Sequence, residues 1–283
     1  MNTTFAGAPA LSAHSAPIAF IGGGNMASAI IGGLVRNGIP AALIDVVEPW
    51  DEARAQLKQH FGIDAHPQPG AQLQRAHLVV WAVKPQTFQE AALQVRPHTP
   101  QAVHLSVAAG IRSSSIAQWL DSERIVRAMP NTPALIGKGM TALYARPAIS
   151  PAERQQVEQV IAPTGQFLWV DNEPQLDAVT ALSGSGPAYV FYFLEAMVQA
   201  GTDMGLSPAQ AHQLAVATFA GASELAQRSE ESPALLRQRV TSKGGTTHAA
   251  ITSLEQAGVG QQFQRALHAA QERARELGDE FGG

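Results

Sequence analysis

Cysteine is absent from this chain of 283 residues. Without a thiol the protein has no disulfide, no thiolate nucleophile and no cysteine-type metal centre, and we predict no metal site of any kind. The absence is consistent with a cytoplasmic protein, and the cytoplasm is the location that we expect.

Charge is sparse, and basic residues are not in excess. Only 15% of the residues are charged, the formal net charge is -4, and the sequence has four lysines. Because a polyanion would meet no positive field, a nucleic acid is excluded as the main partner. Hydrophobic residues make up 45% of the chain, which is enough for sizeable cores and argues against a disordered chain.

Long uninterrupted apolar runs are also missing. The most apolar stretch, residues 188–204, contains Glu195 and Asp203 and follows Pro187, which is typical of a buried helix and not of a membrane span. Residues 1–16 contain neither lysine nor arginine, so they would make a poor signal peptide. We expect a flexible tail there, and no membrane partner.

The pattern of apolar residues changes near residue 173. Before it, short apolar runs alternate with helical patterns, which predicts an α/β domain with an open, doubly wound sheet of the Rossmann type over residues 17–172. After it, strand patterns disappear, and we predict an all-α domain for dimerisation and substrate binding over residues 173–283. Seven strands are expected, at 17–21, 42–47, 77–83, 102–107, 124–129, 141–145 and 166–170.

The second half is rich in alanine and leucine. A helical bundle with this much apolar surface commonly buries it against a second copy of itself, so we predict at least a homodimer through residues 174–283. The first helix is expected to be interrupted at 183–187, where a proline suits the first turn of a renewed helix. Helices are expected at 174–204, 208–228, 233–240, 246–257 and 260–279.

The strongest local motif is a glycine-rich turn after the first strand. Residues 18–27 read IAFIGGGNMA, a strand followed by G-x-G-x-x-A and a helix. Gly22 permits the tight turn, Gly24 lets a pyrophosphate approach the backbone, and Ala27 lets the helix pack on the strand. The phosphates would face free N–H groups at Asn25 and Met26, the positive end of the helix. The alternative, a turn that binds nothing, is disfavoured by the amphipathic helix that follows.

A carboxylate follows the second predicted strand. Glu48 lies in the stretch DVVEP at 45–49, where an acidic side chain hydrogen-bonds the adenosine ribose and repels a 2′-phosphate. Glu48 therefore favours NAD over NADP, and no arginine stands beside it before Arg54. The alternative is a solvated loop charge without a ligand.

Small, rigid or polar residues follow three further strands. Ligands of an open α/β sheet lie beyond the carboxyl ends of the strands, so we expect the cofactor to contact these segments. The residues are Ala82, Val83, Lys84, Pro85, Ala108, Ala109, Gly110 and Asn131. Simpler interpretations stay open, namely an ordinary surface lysine for Lys84, tight packing for 108–110 and the start of a helix or turn at Pro133.

A second glycine-rich corner lies in the helical half. Residues 240–248 read VTSKGGTTH, between the predicted end of one helix and the start of the next. Gly244 and Gly245 expose backbone N–H groups at a positive helix end, which would hold a carboxylate. Thr246 or Thr247 would cap that helix, and the two hydroxyls could donate to or accept from a substrate nitrogen. The alternative is a capped connection between two helices.

Six motifs together resemble those of the pyrroline-5-carboxylate reductase family, in the family's order and with its spacing. MPNTPA, SGSGPAY and GGTT are jointly far more specific than the dinucleotide turn. The motifs are IGGGNMASAIIGGL at 21–34, AVKP at 82–85, AAG at 108–110, RAMPNTPALIGKGMT at 127–141, LSGSGPAYVFYFLEAM at 182–197 and TSKGGTT at 241–247.

The resemblance implies the last step of proline biosynthesis, in which hydride from NADPH or NADH reduces pyrroline-5-carboxylate to L-proline. It implies a homodimer or a higher homo-oligomer built of dimers. It places the cofactor on 22–27, 82–85 and 108–110, and the substrate carboxylate on the 242–247 loop, with Thr247 hydrogen-bonded to the ring nitrogen as the catalytic residue. The implied substrate-binding residues are Ser242, Lys243, Gly244, Gly245, Thr246 and Thr247.

Two positions depart from the commonest family pattern, and other functions stay open. Lys243 stands where many members have proline, and Glu48 is unusual for an enzyme that prefers NADPH. A β-hydroxyacid dehydrogenase would need a lysine after the glycine-rich helix start, but Val190 stands at that place after Gly186. A reductase of a different cyclic imine, or a regulator that senses a dinucleotide and binds a partner protein, are the remaining alternatives.

Overall fold

The computed structural model of the protein describes residues 16–281, and the predicted tail at 1–16 lies outside them except for Ala16. Strands and α-helices alternate as far as residue 169, except between the fifth and sixth strands. The strands are β1 (Ile18–Ile21), β2 (Ile44–Val47), β3 (Leu78–Trp81), β4 (Val103–Ser106), β5 (Ile125–Met129), β6 (Gly139–Ala145) and β7 (Gly165–Trp169). The helices between them are α1 (Asn25–Arg36), α2 (Asp51–Phe61), α3 (Pro85–Val95), α4 (Ser113–Leu120) and α5 (Pro151–Ile161).

All seven predicted strands are confirmed, and they form one sheet in the order β2-β1-β3-β4-β5-β6-β7. The predicted doubly wound sheet implies parallel strands, which is right for β1 to β5 and wrong for β6, because β6 runs antiparallel to β5. The reason is the connection, because a short loop between β5 and β6 leaves no crossover helix and the chain turns straight back. Helix α5 then connects β6 to β7, and this pair is parallel again.

The strand order reverses beside β1. The chain goes from β1 outward to β2 and then returns across β1 to β3. Helices that follow β1 and β3 therefore leave the sheet on opposite faces, and a crevice opens at the carboxyl ends of these two strands. The crevice falls where the glycine turn at 22–24 and the segment 82–85 begin.

Helices cover both faces of the sheet, which explains why the central strands are apolar along their whole length. On one face, Ile30 of α1, Leu57 of α2 and Val157 of α5 pack on the strands and are at most 1% exposed. On the other face, Phe88 of α3 and Ile116 of α4 are fully buried. Each such side chain contributes roughly 1.5–3 kcal/mol of transfer free energy.

The first compact unit extends beyond the sheet domain predicted at 17–172. It comprises residues 16–185 together with 270–281, and it includes the short helix α6 (Gln175–Val179). Ion pairs and a backbone hydrogen bond connect the residues around α6 to the sheet domain. The Glu173 carboxylate accepts hydrogen bonds from the Ser113 backbone at 2.6 Å and from Arg127 at 2.7 Å, and Arg112 donates to Asp177 at 3.0 Å.

These donors also determine the titration of Glu173. Burial alone would raise the pKa of this carboxyl, but hydrogen bonds from Ser113 and Arg127 outweigh it and hold the pKa below its ordinary value. The carboxylate is therefore charged in the folded chain, which keeps the ion pair with the buried Arg127 intact.

The second compact unit is Gly186–Ala269. Its helices are α7 (Gly186–Asp203), α8 (Pro208–Arg228), α9 (Pro233–Arg239), α10 (Thr246–Gln256) and the first part of α11 (Val259–Phe281). The predicted interruption of the first helix is confirmed as a π-helical turn, Thr180–Gly184, ahead of α7. Ser207 begins α8 as predicted, with a side chain that accepts a hydrogen bond from the Gln210 backbone.

Large apolar side chains of the second unit face solvent in the single chain. The prediction that residues 188–204 form a buried helix is wrong for one copy of the chain, because Gly201 is the only buried residue of α7. The exposed side chains are Val190, Phe191, Tyr192, Met197, Met204, Leu206, Leu214, Val216, Leu225, Leu235, Val240, Leu254 and Phe263. Nevertheless, none of the helices between residues 16 and 281 is long and apolar enough to cross a membrane.

A histidine lies inside the sheet domain. His104 of β4 is 1% exposed, and its Nδ1 accepts a hydrogen bond from the Trp81 indole at 3.1 Å. Burial, reinforced by the charge of Arg124, lowers the pKa of His104 to about 3. The imidazole is therefore neutral in the folded protein, because protonation would place a positive charge in the buried core.

We expect this histidine to make the protein acid-sensitive. The unfolded chain takes up the proton near pH 6.5 and the folded chain only near pH 3, so stability falls as the pH drops below 6.5. Between pH 7 and pH 5 the loss from this group is about 2 kcal/mol. Urea unfolding across this range should give a flatter pH dependence for His104→Gln than for the wild type. The exposed His60→Gln is the matched control, and an unchanged slope in His104→Gln would contradict the prediction.

Candidate functional site

The glycine turn after β1 has the conformation that the sequence predicts. Gly22 has a φ of +96°, and a Cβ at this position would lie 2.6 Å from the Ala82 carbonyl oxygen. The Gly22 N–H donates to the Val47 carbonyl at 2.8 Å, and the Ala82 N–H donates to the Ile21 carbonyl at 2.8 Å. The ends of β1, β2 and β3 are therefore joined at this turn, and a side chain at residue 22 does not fit.

We predict that Gly22→Ala loses stability and dinucleotide binding together. Gly38 supplies the matched control, since its φ is +90° and no atom lies within 4 Å of an added Cβ. Gly38→Ala should cost only the backbone strain, about 1–2 kcal/mol. Gly22→Ala should cost measurably more, because the β3 backbone must also move. Equal losses in thermal unfolding would mean that close packing does not matter at Gly22.

The start of α1 is free to bind an anion. Gly24 is the N-cap, with extended backbone, and no side chain caps the first turn and no acidic residue lies in it. An added Cβ at Gly24 would meet nothing within 4 Å, whereas Ala27 is fully buried against the sheet. Free N–H groups at a positive helix end, with open space before them, fit the pyrophosphate of a dinucleotide.

Glu48 is buried beside the turn. One carboxylate oxygen accepts from the Gly23 N–H at 2.7 Å, and the other accepts from the Trp50 N–H at 2.9 Å. The side chain is only 9% exposed, so the alternative of a solvated loop charge is wrong. A carboxylate has about four acceptor sites, which leaves both oxygens able to accept from a ribose hydroxyl as well.

The predicted cofactor segments 82–85 and 108–110 differ in their burial and in their packing. Ala82 and Val83 are half-buried, and Lys84 is exposed as the N-cap of α3, ahead of Pro85. Gly110 has a φ of +73°, and an added Cβ would lie 3.1 Å from Leu277 of α11. Tight packing therefore explains Gly110, while Ala108 is buried and Ala109 half-buried.

Asn131 joins two of the sequence motifs. Its amide nitrogen donates to the carbonyl and the hydroxyl of Ser183, both at 3.2 Å, and its amide oxygen accepts from the Met140 N–H at 2.9 Å. An added Cβ at Gly184 would lie 2.4 Å from the Met129 side chain. Met129 and Asn131 thus pack against Ser183 and Gly184, and the side chain of Asn131 is already hydrogen-bonded within the chain.

The corner at 242–247 is a second helix start without a capping side chain. The prediction that Thr246 or Thr247 caps α10 is wrong, because the extended residue at the N-cap is Gly245 and it has no side chain to donate or accept. Gly244 turns the chain with a φ of +77°. The prediction that Gly245 exposes its N–H group is wrong, because this N–H donates to the Ser242 carbonyl at 3.0 Å. The first turn has no acidic residue.

The two threonine hydroxyls are therefore available. In residues 16–281 neither the Thr246 nor the Thr247 hydroxyl has a hydrogen bond, although Thr247 is half-buried. A helix start that lacks both a cap and an acidic side chain fits a carboxylate, and two free hydroxyls beside it fit a polar group of the same ligand.

A polar cleft of about 560 Å³ adjoins this corner between α9 and α10. Thr241 and His248, which flank the glycine corner, line it, and so do Arg237 and Glu255, which form an ion pair of 3.0 Å. Arg237 and Glu255 were not predicted from the sequence, because no motif marks side chains that become adjacent only when α9 and α10 pack. In the described part of the chain no cluster of three metal-binding side chains is found.

The fold and the two glycine corners define a Rossmann-type oxidoreductase with a separate helical unit. Residues 173–277 match the family model described as pyrroline-5-carboxylate reductase dimerisation, and residues 17–110 match the one described as NADP oxidoreductase, coenzyme F420-dependent. A pyrroline-5-carboxylate reductase of Pseudomonas aeruginosa is 44% identical over 94% of this chain and 98% of the relative. The chain belongs to the pyrroline-5-carboxylate reductase family, which confirms the resemblance seen in the sequence.

Solved structures agree with this assignment. A pyrroline-5-carboxylate reductase of Coxiella burnetii superposes with a TM-score of 0.86 at 37% identity, over 93% of this chain and 99% of the other. A pyrroline carboxylate reductase of Plasmodium falciparum, crystallised with NADP bound, superposes with a TM-score of 0.83 at 26% identity, over 93% and 98% of the two chains.

Proposed function

We propose that this protein reduces the C=N bond of pyrroline-5-carboxylate to give L-proline, with NADH or NADPH as the reductant. The corner at 242–247 carries the proposal, since it combines an uncapped helix start with two free hydroxyls. Such a corner suits a small ligand that bears a carboxylate beside a ring nitrogen. The family relationship supports the same substrate.

The nucleotide turn provides the dinucleotide site. Gly22 and Gly24 admit the pyrophosphate to the N–H groups of Asn25 and Met26, while Ala82 to Pro85, the 108–110 segment and Asn131 follow the carboxyl ends of β3, β4 and β5. Glu48 lies where the adenosine ribose binds in such sheets. When bound, the reduced nicotinamide supplies the hydride that forms the new C–H bond, while the C=N π electrons move to the ring nitrogen.

The substrate corner has little acid–base work to do. A protonated imine is already a good hydride acceptor, so the protein mainly has to fix the position of the ring. The backbone N–H groups of Gly244, Thr246 and Thr247 hold the carboxylate, with Ser242 and Lys243 at the edge of the corner. The Thr247 hydroxyl orients the ring nitrogen or delivers a proton to it, directly or through a water molecule.

A second copy of the chain completes the assembly. The second unit exposes 13 large apolar side chains and has too few elements to cover them, which is the property of a surface that pairs with itself. The match to a dimerisation model supports at least a homodimer. A higher oligomer built of dimers and a cytoplasmic location stay predictions.

One assay tests the activity. Purified protein is mixed with pyrroline-5-carboxylate and either NADH or NADPH, the absorbance at the nicotinamide band is followed, and proline is quantified. Nicotinamide oxidation matched by proline supports the proposal. Dinucleotide binding without turnover would favour a sensing regulator, and turnover restricted to another cyclic imine would favour a related reductase. A β-hydroxyacid mixed with NAD+ or NADP+ is the control for a β-hydroxyacid dehydrogenase, and it should give no reduced nicotinamide.

A further inference from the structure

Trp50 is a large apolar side chain left in solvent next to the nucleotide turn. Its exposed fraction is 70%, and in residues 16–281 the indole has neither a ring contact nor a hydrogen bond. The other three tryptophans are buried or half-buried, and all of them lie elsewhere in the sheet domain, at residues 81, 119 and 169. An exposed indole has a large flat face to offer a ligand.

The backbone that carries Trp50 is held at every residue. The Arg54 guanidinium donates to the Glu48 carbonyl at 2.9 Å and to the Pro49 carbonyl at 2.7 Å. The Glu48 N–H donates to the His66 carbonyl at 2.8 Å, and the Arg54 N–H donates to the Trp50 carbonyl at 3.0 Å. The indole therefore stands on a fixed support, so a ligand that stacks on it does not have to order a loop.

Gly24, Glu48 and Trp50 follow one another in the same order as the pyrophosphate, the ribose and the adenine of a dinucleotide. The pyrophosphate position proposed above is at Gly24. The neighbouring Gly23 N–H donates to Glu48 at 2.7 Å, and the other oxygen of Glu48 accepts from the Trp50 N–H at 2.9 Å. In such sheets the acidic residue after β2 contacts the ribose. Trp50 is hydrogen-bonded to the far side of Glu48, and it therefore lies where the adenine follows the ribose.

We infer that the adenine ring of the dinucleotide stacks on the indole of Trp50. The inference rests on the proposed function only in taking an adenine dinucleotide as the ligand. Trp50 acts as a positioning residue that binds the half of the cofactor remote from the hydride. Its loss weakens cofactor binding and leaves the chemical step unchanged.

The first experiment measures binding without catalysis. ADP-ribose, which has no nicotinamide, is titrated against the wild type, and tryptophan emission and calorimetric heat are recorded. The wild type should show quenching. Trp50→Phe should lose the quenching and keep the affinity within about threefold, while Trp50→Ala should bind about tenfold more weakly. Trp169→Phe is the emission control and should keep the quenching, because it leaves Trp50 in place.

The second experiment separates adenine from nicotinamide. Trp50→Ala should raise the KM for NADH about tenfold at unchanged kcat and unchanged KM for the imine. With reduced nicotinamide mononucleotide, which has no adenosine, wild type and variant should have equal kcat/KM. Equal ADP-ribose affinities of Trp50→Ala and wild type would overturn the inference and leave Trp50 as a contact for another macromolecule. Wild-type turnover tests the proposed function separately, so the two failures are distinguishable.

Discussion

Thr247→Ala should lower kcat about a hundredfold, which is the lower end of what a positioned proton donor or acceptor contributes. The hydroxyl has no partner in the described residues and stands in the first turn of α10, beside backbone N–H groups that suit a carboxylate. Without the hydroxyl, the backbone N–H groups still bind the carboxylate. The ring is no longer oriented through its nitrogen, and the nitrogen can stay unprotonated. Steady-state kinetics with saturating dinucleotide measures the effect, and the dissociation constant for NADH should not change.

Two variants show whether the hydroxyl itself is responsible. Thr247→Ser keeps the hydroxyl and should retain most of the activity, whereas a loss as large as that of alanine would assign the effect to the methyl group. Ser253→Ala removes an exposed hydroxyl of the same helix and should behave as the wild type. Undiminished turnover in Thr247→Ala would remove Thr247 from the mechanism.

Glu48→Gln should raise the ratio of kcat/KM with NADPH to kcat/KM with NADH about a hundredfold. The Glu48 carboxylate is held against the turn by the Gly23 and Trp50 N–H groups, so it cannot swing away from a 2′-phosphate. Two like charges about 5 Å apart, at an effective dielectric constant of about 20, repel by roughly 3 kcal/mol. Glutamine removes the charge and keeps the shape, and the wild type should therefore prefer NADH.

The kcat/KM values with NADH and with NADPH are measured for the wild type, Glu48→Gln and Glu52→Gln. Glu52 is an exposed carboxylate in the first turn of α2, and its removal controls for a general change in surface charge. Thermal unfolding checks whether Glu48→Gln loosens the glycine turn, which would weaken both cofactors equally. A wild type that strongly prefers NADPH, or a ratio that Glu48→Gln leaves unchanged, would contradict the role of Glu48.

Several site residues could be found from the sequence because their reasons are local. Gly22 has to take a positive φ directly after a strand, and Gly24 has to stay small before a helix start, so the spacing alone identifies the turn. The same holds for the corner at 242–247, where two glycines precede a helix. The prediction of the capping residue was wrong. The helix begins one residue earlier than a threonine cap requires, so Gly245 takes the extended conformation.

Other site residues needed the tertiary structure. The Glu48 carboxylate is buried only because Gly23 and Trp50 present N–H groups to it, and they lie 25 residues before it and two residues after it. The exposure of the Trp50 indole follows from that arrangement and has no signal in the sequence. The same is true of the partners of Asn131, since its bond to Ser183 spans 52 residues.

Periodicity and motif spacing by themselves determined the seven strands, the change to helices after the sheet and the family. Each of these depends on neighbouring residues, whose preferences add along the chain. Tertiary structure decided the direction of β6 and the extent of the first unit, which takes in α6 and the end of α11. These features arise from contacts between distant residues, such as Glu173 with Arg127 and Gly110 with Leu277. A single sequence does not encode such pairings in any local pattern.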